Sequence, residues 1–312
     1  MSSSAPLTAW RFRHQNVFMV PPSKRAGVLF LVFLWTGCSG DEFSEMGGGD
    51  AGGSAGTSSA GAGGSGASAG SDASAGTGAS AGTGASAGTG ASAGSAPSYA
   101  ETVLADNPVG YWRLGEDWGL TAVDASGNGR HGSYVGASLV RGVDGAIVDA
   151  DTAISFPGDA NCSVDMGDVF DFAGKQAFSI EVWASPSKAA GAIAGKYSYD
   201  ASAYVGWALL LADERVMFRR MGWPWTSAGV ELNRHSHIVG VYEGSVLHLF
   251  VNGELESSED SVCELPDTDT QFRLGLTENW DRYAGVLDEV AIYDYALSPG
   301  QVAAHYHVGI GQ

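Results

Sequence analysis

The chain has 312 residues and a formal net charge of −19, from 16 Lys and Arg, 35 Asp and Glu. From Cys38 onward twelve basic side chains stand against all 35 acidic ones. Such a surface repels nucleic-acid phosphates and anionic membranes, which argues against a nucleic-acid partner and suits cations and neutral ligands such as sugars.

Residues 1–37 read as an export address. Lys24 and Arg25 precede an apolar run over 26–35. Ten residues fall short of the roughly 20 that cross a bilayer. A positive flank, a short apolar core and then Thr36 and Gly37 make a secretory signal peptide. Residues 1–18 fit poorly as its start, whereas Met19 opens a signal of ordinary length. Cys38 after two small residues makes the signal resemble that of bacterial lipoproteins. The resemblance implies lipidation at Cys38 and, from Ser39, an outer-membrane or cell-surface address. The membrane is then met only through the lipid anchor. Trp35 departs from the Leu-type residue of that motif, and a simple secreted protein is the alternative.

Residues 38–96 read as a tether. ASAGTG recurs at 73–78, 79–84 and 85–90, and from 47 to 96 the chain is almost entirely Gly, Ala, Ser and Thr. Nothing there is large and apolar enough to offset the entropy of ordering, so the segment is expected to be a disordered, flexible linker. A β-helix of period six needs apolar residues at stacking positions, and these copies offer only Ala. A glycosylated stalk would use the same Ser and Thr. Residues 97–312 remain for one domain.

That domain opens with a short helix or extended entry at 98–105. Strands are expected at 109–116, 152–156, 177–184, 206–211, 215–218, 272–276 and 286–293, with two consecutive hairpins over 237–256. In 177–184 the alternation puts Phe178, Ile180 and Val182 on one face and Ser179, Glu181 and Trp183 on the other. Asn252-Gly253 is a type I′ turn pair. Ser298, Pro299 and Gln301 form a helix start, and Val302, Ala303 and Tyr306 continue at helical spacing until Gly309. Many short strands, with no helix-period stretch among them, give an antiparallel sandwich or barrel.

Five segments then occur in one order: DNPVGYWRLGE, the D-x-SGNG-x-x-G loop at 124–132, FSIEVW, VYEGS-VLHLFVNG, and G-x-LDEVAIYDYALSPGQVAAHY. Together they resemble the LamG-like jellyroll family, in the laminin-G, pentraxin and concanavalin A-like group. The implied fold is all-β: an antiparallel two-sheet jellyroll sandwich, concanavalin A-like, with a short C-terminal helix. The chain departs from the family pattern at 235–239 and at Glu243, both packing or turn positions.

Asp288 is an acid in an apolar strand, and strict alternation places it with Val286, Val290 and Ile292. A buried carboxylate is costly unless paired or bound to a cation. The resemblance implies a structural Ca²⁺ near this strand and the 124–132 loop, with Asp124, Asn128 and Asp288 as ligands. The alternative is that Asp288 accepts hydrogen bonds while Asp124 and Asn128 cap a turn. With Cys38 reserved for lipid, Cys162 and Cys263 are expected to form a disulfide in an oxidising compartment, or else to stay as two thiols. Trp223, Trp225, Tyr197 and Tyr199 offer aromatic faces on which sugar rings stack, against the alternative that they cover core edges. His235 and His237 share a strand face. His305 and His307 lie on the last helix, and no third zinc-type ligand is near in sequence.

Glucanases that resemble this fold use E-x-D-x-x-E on one strand, which is absent here. Strict alternation sends Asp288 and Glu289 to opposite faces, wrong for an acid–base pair. The reading is therefore a non-catalytic, monomeric module that binds a glycan or glycoprotein. The alternatives are an adhesive protein with a protein partner, and a divergent glycosidase using Glu181 or Asp288.

Overall fold

The computed structural model describes residues 96–312, apart from 159–161, 201–202, 222–223 and 279. The signal, Cys38 and all but the last residue of the expected tether lie outside the described residues. The elements run α1 (Tyr99–Ala105), β1 (Gly110–Trp112), β2 (Thr121–Ala122), β3 (Gly132–Val135), β4 (Val140–Asp144), β5 (Thr152–Pro157), β6 (Ser163–Asp165), β7 (Phe178–Pro186) and β8 (Gly191–Asp200). They continue with β9 (Ala203–Ala212), β10 (Arg215–Arg220), β11 (Trp225–Gly229), β12 (Ser236–Tyr242), β13 (Val246–Val251), β14 (Glu254–Asp260), β15 (Arg273–Leu274), β16 (Ala284–Tyr293) and α2 (Pro299–Gly309).

Two sheets of antiparallel strands face each other. One runs β14-β13-β12-β7-β16-β5-β4, with β1 paired to β16 off this path; the other runs β11-β10-β9-β8-β15-β6-β3-β2. Between them lies the main core, including Trp112, Ile180, Trp207, Phe218 and Ile292. The expected alternation in β7 is realised: Phe178, Ile180 and Val182 enter this core, and Trp183 enters a second cluster on the outer face of the first sheet. There α1 and α2 pack, burying Tyr99, Val103 and Val302. Each fully buried side chain of this size contributes about 1.5–3 kcal/mol. Ser98 and Glu101 cap α1 reciprocally, and Ser298 and Gln301 do the same for α2. Asn252 and Gly253 take φ of 53° and 83°, as the turn between β13 and β14 requires. Among the described residues, the first sheet is thus covered by helices, and the second keeps an outer face free of them.

The bend in β16 departs from strict alternation. Leu287 pairs with Ala184 and points into the main core, and Asp288 pairs with Trp183 and points outward. Pairing with β7 then shifts between Asp288 and Ala291, and Glu289 takes a φ of 49°. This bulge resets the face, so that Val290 and Ile292 point into the core and Ala291 and Tyr293 outward. Asp288 therefore does not share a face with Val290 and Ile292. Glu289 reaches Tyr111 and Arg113 on the outer side, so the two acids lie together rather than on opposite faces.

The expected Cys162–Cys263 disulfide is not formed: Cys162 is a buried free thiol. It enters β6, and Cys263 follows β14, the edge strand of the other sheet. Nearly the whole width of the sandwich lies between these strands, at about 4.8 Å per strand, and a disulfide requires Cα atoms within about 7 Å.

Candidate functional site

The helix-free outer face carries an aromatic cluster. Cross-strand register builds it: Tyr199 opposite Tyr204 on β8 and β9, and Arg219 opposite Trp225 on β10 and β11. Tyr197 and Tyr204 stack at 5.4 Å with 6° between their planes, and Tyr199 meets Tyr204 edge-on at 5.0 Å. The Arg219 guanidinium lies 4.5 Å from the ring centre of Trp225, 5.6 Å from Tyr204, 5.8 Å from Tyr197 and 5.9 Å from Trp280. Trp280 reaches in from the loop before β16 and donates Nε1–H to the Leu211 carbonyl at 3.4 Å. Ala192, Ala208, Leu210 and Met217 form the floor.

Three of the four expected sugar-stacking residues, Tyr197, Tyr199 and Trp225, thus share one face. Trp223 lies outside the described residues. Tyr197 is buried, and burial pushes its hydroxyl pKa up, Arg219 opposing; it supports the cluster from beneath. Tyr199 is 45% exposed, and Tyr204, Trp225 and Trp280 are half-buried. Sequence reasoning missed Tyr204 and Arg219. Their signal was the period-two spacing of Tyr197 and Tyr199 before a turn, and of Met217 and Arg219 on β10, but only the strand register brings them together.

The acids of the helix-covered side form two separate groups. Glu181 is fully buried under α1 and α2. Its Oε1 accepts hydrogen bonds from Tyr99 at 2.8 Å and lies 2.7 Å from His237 Nε2; its Oε2 accepts from Tyr293 at 2.8 Å and lies 2.9 Å from His305 Nδ1. His305 Nε2 lies 3.0 Å from Asp106 at the end of α1. Burial pushes the Glu181 pKa up, but His305 and His237 outweigh it and hold the carboxyl well below its usual range. The two histidines, from separate pairs in the sequence, therefore meet at one carboxylate. With no exposed atom, Glu181 is placed to fasten the helices rather than to meet a substrate.

The second group surrounds Asp288. Its Oδ2 accepts from the Ala146 amide at 2.7 Å, and its buried Oδ1 has no hydrogen-bond partner. Burial first, and then Glu289, raises its pKa to about 8. Glu289 is raised to about 7 by burial, against Arg113 and Tyr111, which bind it. Arg113 also pairs with Asp149 at 2.6 Å and Asp151 at 3.0 Å. Three carboxyl groups, those of Glu289, Asp149 and Asp151, thus share the Arg113 guanidinium.

Of the expected calcium ligands, Asp124 and Asn128 are engaged within their own loop. Asp124 is saturated by its own loop. Its Oδ1 accepts from the Tyr111 amide at 3.0 Å and from the Ser126 amide and hydroxyl at 2.9 and 2.6 Å, and its Oδ2 accepts from the Arg130 amide at 2.8 Å. Burial pushes its pKa up, but these donors prevail and hold it below the usual value. Asn128 turns its amide hydrogens to the Pro108 and Val109 carbonyls and to Ser126 Oγ. Both residues fasten the turn. Asp288 keeps one buried oxygen without a hydrogen-bond partner, with Asp149 and Asp151 near enough to act on its charge. Among the described residues no three His, Cys, Asp or Glu side chains converge as metal ligands.

Residues 157–303 match the family model of the concanavalin A-like lectin/glucanases superfamily. Among solved structures, domain 4 of AbnA, a GH43 extracellular arabinanase from Geobacillus stearothermophilus solved with arabinotriose, has a TM-score of 0.51 at 18% identity. The match covers 64% of this chain and 98% of that one. The binding domain of botulinum neurotoxin serotype D matches with TM-score 0.51 and 15% identity, over 67% of this chain and 52% of that one. The binding domain of Paraclostridial Mosquitocidal Protein 1 has TM-score 0.51 and 19% identity, over 65% and 52%. This chain spans about half the length of the last two. No curated protein matches it.

Proposed function

We propose that this chain, with its concanavalin A-like lectin/glucanase domain, is a non-catalytic saccharide-binding module held at a bacterial cell surface. The observation that carries the reading is the aromatic cluster on the helix-free sheet. Tyr199, Tyr204, Trp225 and Trp280 present partly exposed rings around Arg219, and the apolar faces of sugar rings stack on such surfaces. The arabinanase domain of like fold, solved with arabinotriose, supports a sugar over a protein as ligand. A lipid on Cys38 and the 38–96 tether would carry the module, with a secreted form as the alternative.

The burial of the acids supports binding over hydrolysis. Glu181, Asp288 and Glu289 are at most 1% exposed, and a glycosidase needs two carboxyl groups facing the scissile bond. The corrected position of Asp288 supports a structural cation there, with Asp149 and Asp151 beside it. Ca²⁺ takes six to eight oxygens, so backbone carbonyls and water would complete the shell. It would neutralise charge that Arg113 alone does not balance.

A glycan array probed with the purified full-length protein tests the binding reading. Saccharide binding that weakens in Trp225→Ala and Tyr199→Ala, with unchanged melting temperature, is expected. A silent array together with capture of one envelope protein would replace this reading by the adhesive one. Release of reducing sugar would replace it by the glycosidase.

A further inference from the structure

Cross-strand register extends the aromatic cluster sideways over the second sheet. Trp225 stands opposite Arg219, Arg219 opposite Ala208, Ala208 opposite Gly195, and Gly195 opposite Arg273. Directly opposed residues share a face, so this row crosses β11, β10, β9, β8 and β15 on the helix-free side. Strand spacings of about 4.8 Å put roughly 19 Å between its ends. Gly195 and Ala208 keep its middle low: a Cβ on Gly195 would meet the Ala208 Cβ at 2.5 Å. Both are buried. Ala208 packs with Tyr197, Met217, Trp225 and Trp280, so side chains of the cluster close over the middle of the row.

At the far end of the row Arg273 borders an open depression of about 370 Å³, lined also by Leu276, Thr277 and Glu278 among others. Arg273 is held by Asp165, its Nε 2.9 Å from Oδ2, and by the Gln271 side-chain carbonyl, so its charge is already matched. Thr277 is 2% exposed, and its Oγ1 has no hydrogen-bond partner. A buried hydroxyl without a partner is costly, and a ligand seated in the depression would supply one. Glu278 is exposed at the rim. An apolar Leu276 beside a hydroxyl and a carboxylate suits a ring that is apolar on its face and hydroxylated at its edge.

We infer that the ligand is a linear, neutral polysaccharide bound along its chain and across the strands, with one unit stacked in the aromatic cluster and another seated at Thr277 and Glu278. The inference rests on the saccharide-binding reading and narrows it to several consecutive units of a chain, as against a single terminal sugar. One ring does not reach from Trp225 to the depression beyond Arg273. The Glu278 carboxylate accepts charge-assisted hydrogen bonds from sugar hydroxyls, the stronger kind. It would repel an acidic sugar, and the matched charge of Arg273 leaves little to attract one.

Calorimetry of the full-length protein tests this with linear arabino-, xylo-, gluco-, galacto- and manno-oligosaccharides, each from the monosaccharide to the hexasaccharide. Affinity in at least one series should rise about tenfold between disaccharide and hexasaccharide, as one added charge-assisted bond supplies. Glu278→Ala, at an exposed position that leaves the fold intact, should bind the hexasaccharide no more tightly than the disaccharide. Thr277→Val, nearly isosteric, should lose part of the same gain. A monosaccharide bound as tightly as the hexasaccharide overturns the inference and leaves the saccharide-binding reading in place. So does binding confined to branched or charged glycans on the array. A length dependence unchanged in both variants also overturns it. No binding in any series, with a silent glycan array, overturns both.

Discussion

Replacing His305 by Gln tests whether charge closes the helix-covered side of the sandwich. Burial alone would depress the His305 pKa, but Glu181 and Asp106 raise it from 6.5 to about 9. A histidine whose pKa rises on folding holds its proton more tightly in the folded state. Its stabilisation is therefore complete below pH 6.5 and is lost as pH climbs through 9. At 1.36 kcal/mol per pH unit the difference amounts to about 3 kcal/mol. Urea unfolding followed by tryptophan fluorescence at pH 6 and pH 9.5 reads this directly. The wild type should lose about 3 kcal/mol more than His305→Gln between the two conditions. Asp288 and Glu289, raised to about 8 and 7, cost stability as pH climbs towards those values, but they do so in both proteins and cancel in the comparison. Parallel pH dependences would refute the ion-pair account and leave His305 as a packing residue.

Three further outcomes follow from the sites. Trp225→Ala should weaken saccharide binding by about tenfold, the scale of one lost aromatic contact, with the melting temperature unmoved; calorimetry on any saccharide that binds the wild type measures both. Millimolar Ca²⁺ should raise the melting temperature of wild type and EDTA lower it, whereas Asp288→Asn should respond to neither. Asp124→Ala should keep the calcium response while losing about 1–3 kcal/mol from its orphaned donors, and a calcium response lost in Asp124→Ala would restore the 124–132 loop as the ligand set. Cys162 should take up an alkylating reagent only in denaturant, as peptide mapping after native and denatured labelling would show; native labelling would contradict its burial.

The architecture was legible wherever a local rule acts alone. The alternation of β7, the Asn252-Gly253 turn and the Ser298-Pro299-Gln301 cap each depend on a few adjacent residues, and each is found where expected. β8 was missed because GAIAGKYSYD offers mostly small side chains, and its strand state comes from neighbours on both sides. Asp288 was legible as an anomaly, but not its direction. The bulge turns on Glu289 at φ 49°, a conformation usually signalled by Gly or Asn, and no such residue stands there. Asp124 read as well as a turn residue as it did as a ligand, and its four accepted hydrogen bonds show the turn role. Arg219 was invisible as a site residue because all four rings around it arrive through strand pairing or from a distant loop.

The chain enters the domain on the side away from the aromatic cluster. α1 is its first helix, and it lies with α2 on the outer face of the first sheet, whereas the cluster lies on the outer face of the second. The face proposed to bind ligand thus lies on the opposite side of the sandwich from α1. If residues 38–96 act as the flexible coil their composition implies, their root-mean-square span is about 40 Å, several times the roughly 10 Å between packed sheets. That length lets the module turn and still reach ligand. Tension between a bound polysaccharide and the anchor would then fall first on α1, whose Tyr99 and Asp106 hold Glu181 and His305. On the proposed reading, the buried polar cluster would bear that load. A buried polar network in which most members are satisfied suits that place better than apolar packing alone, because each hydrogen bond must break within a short displacement for the helix to leave.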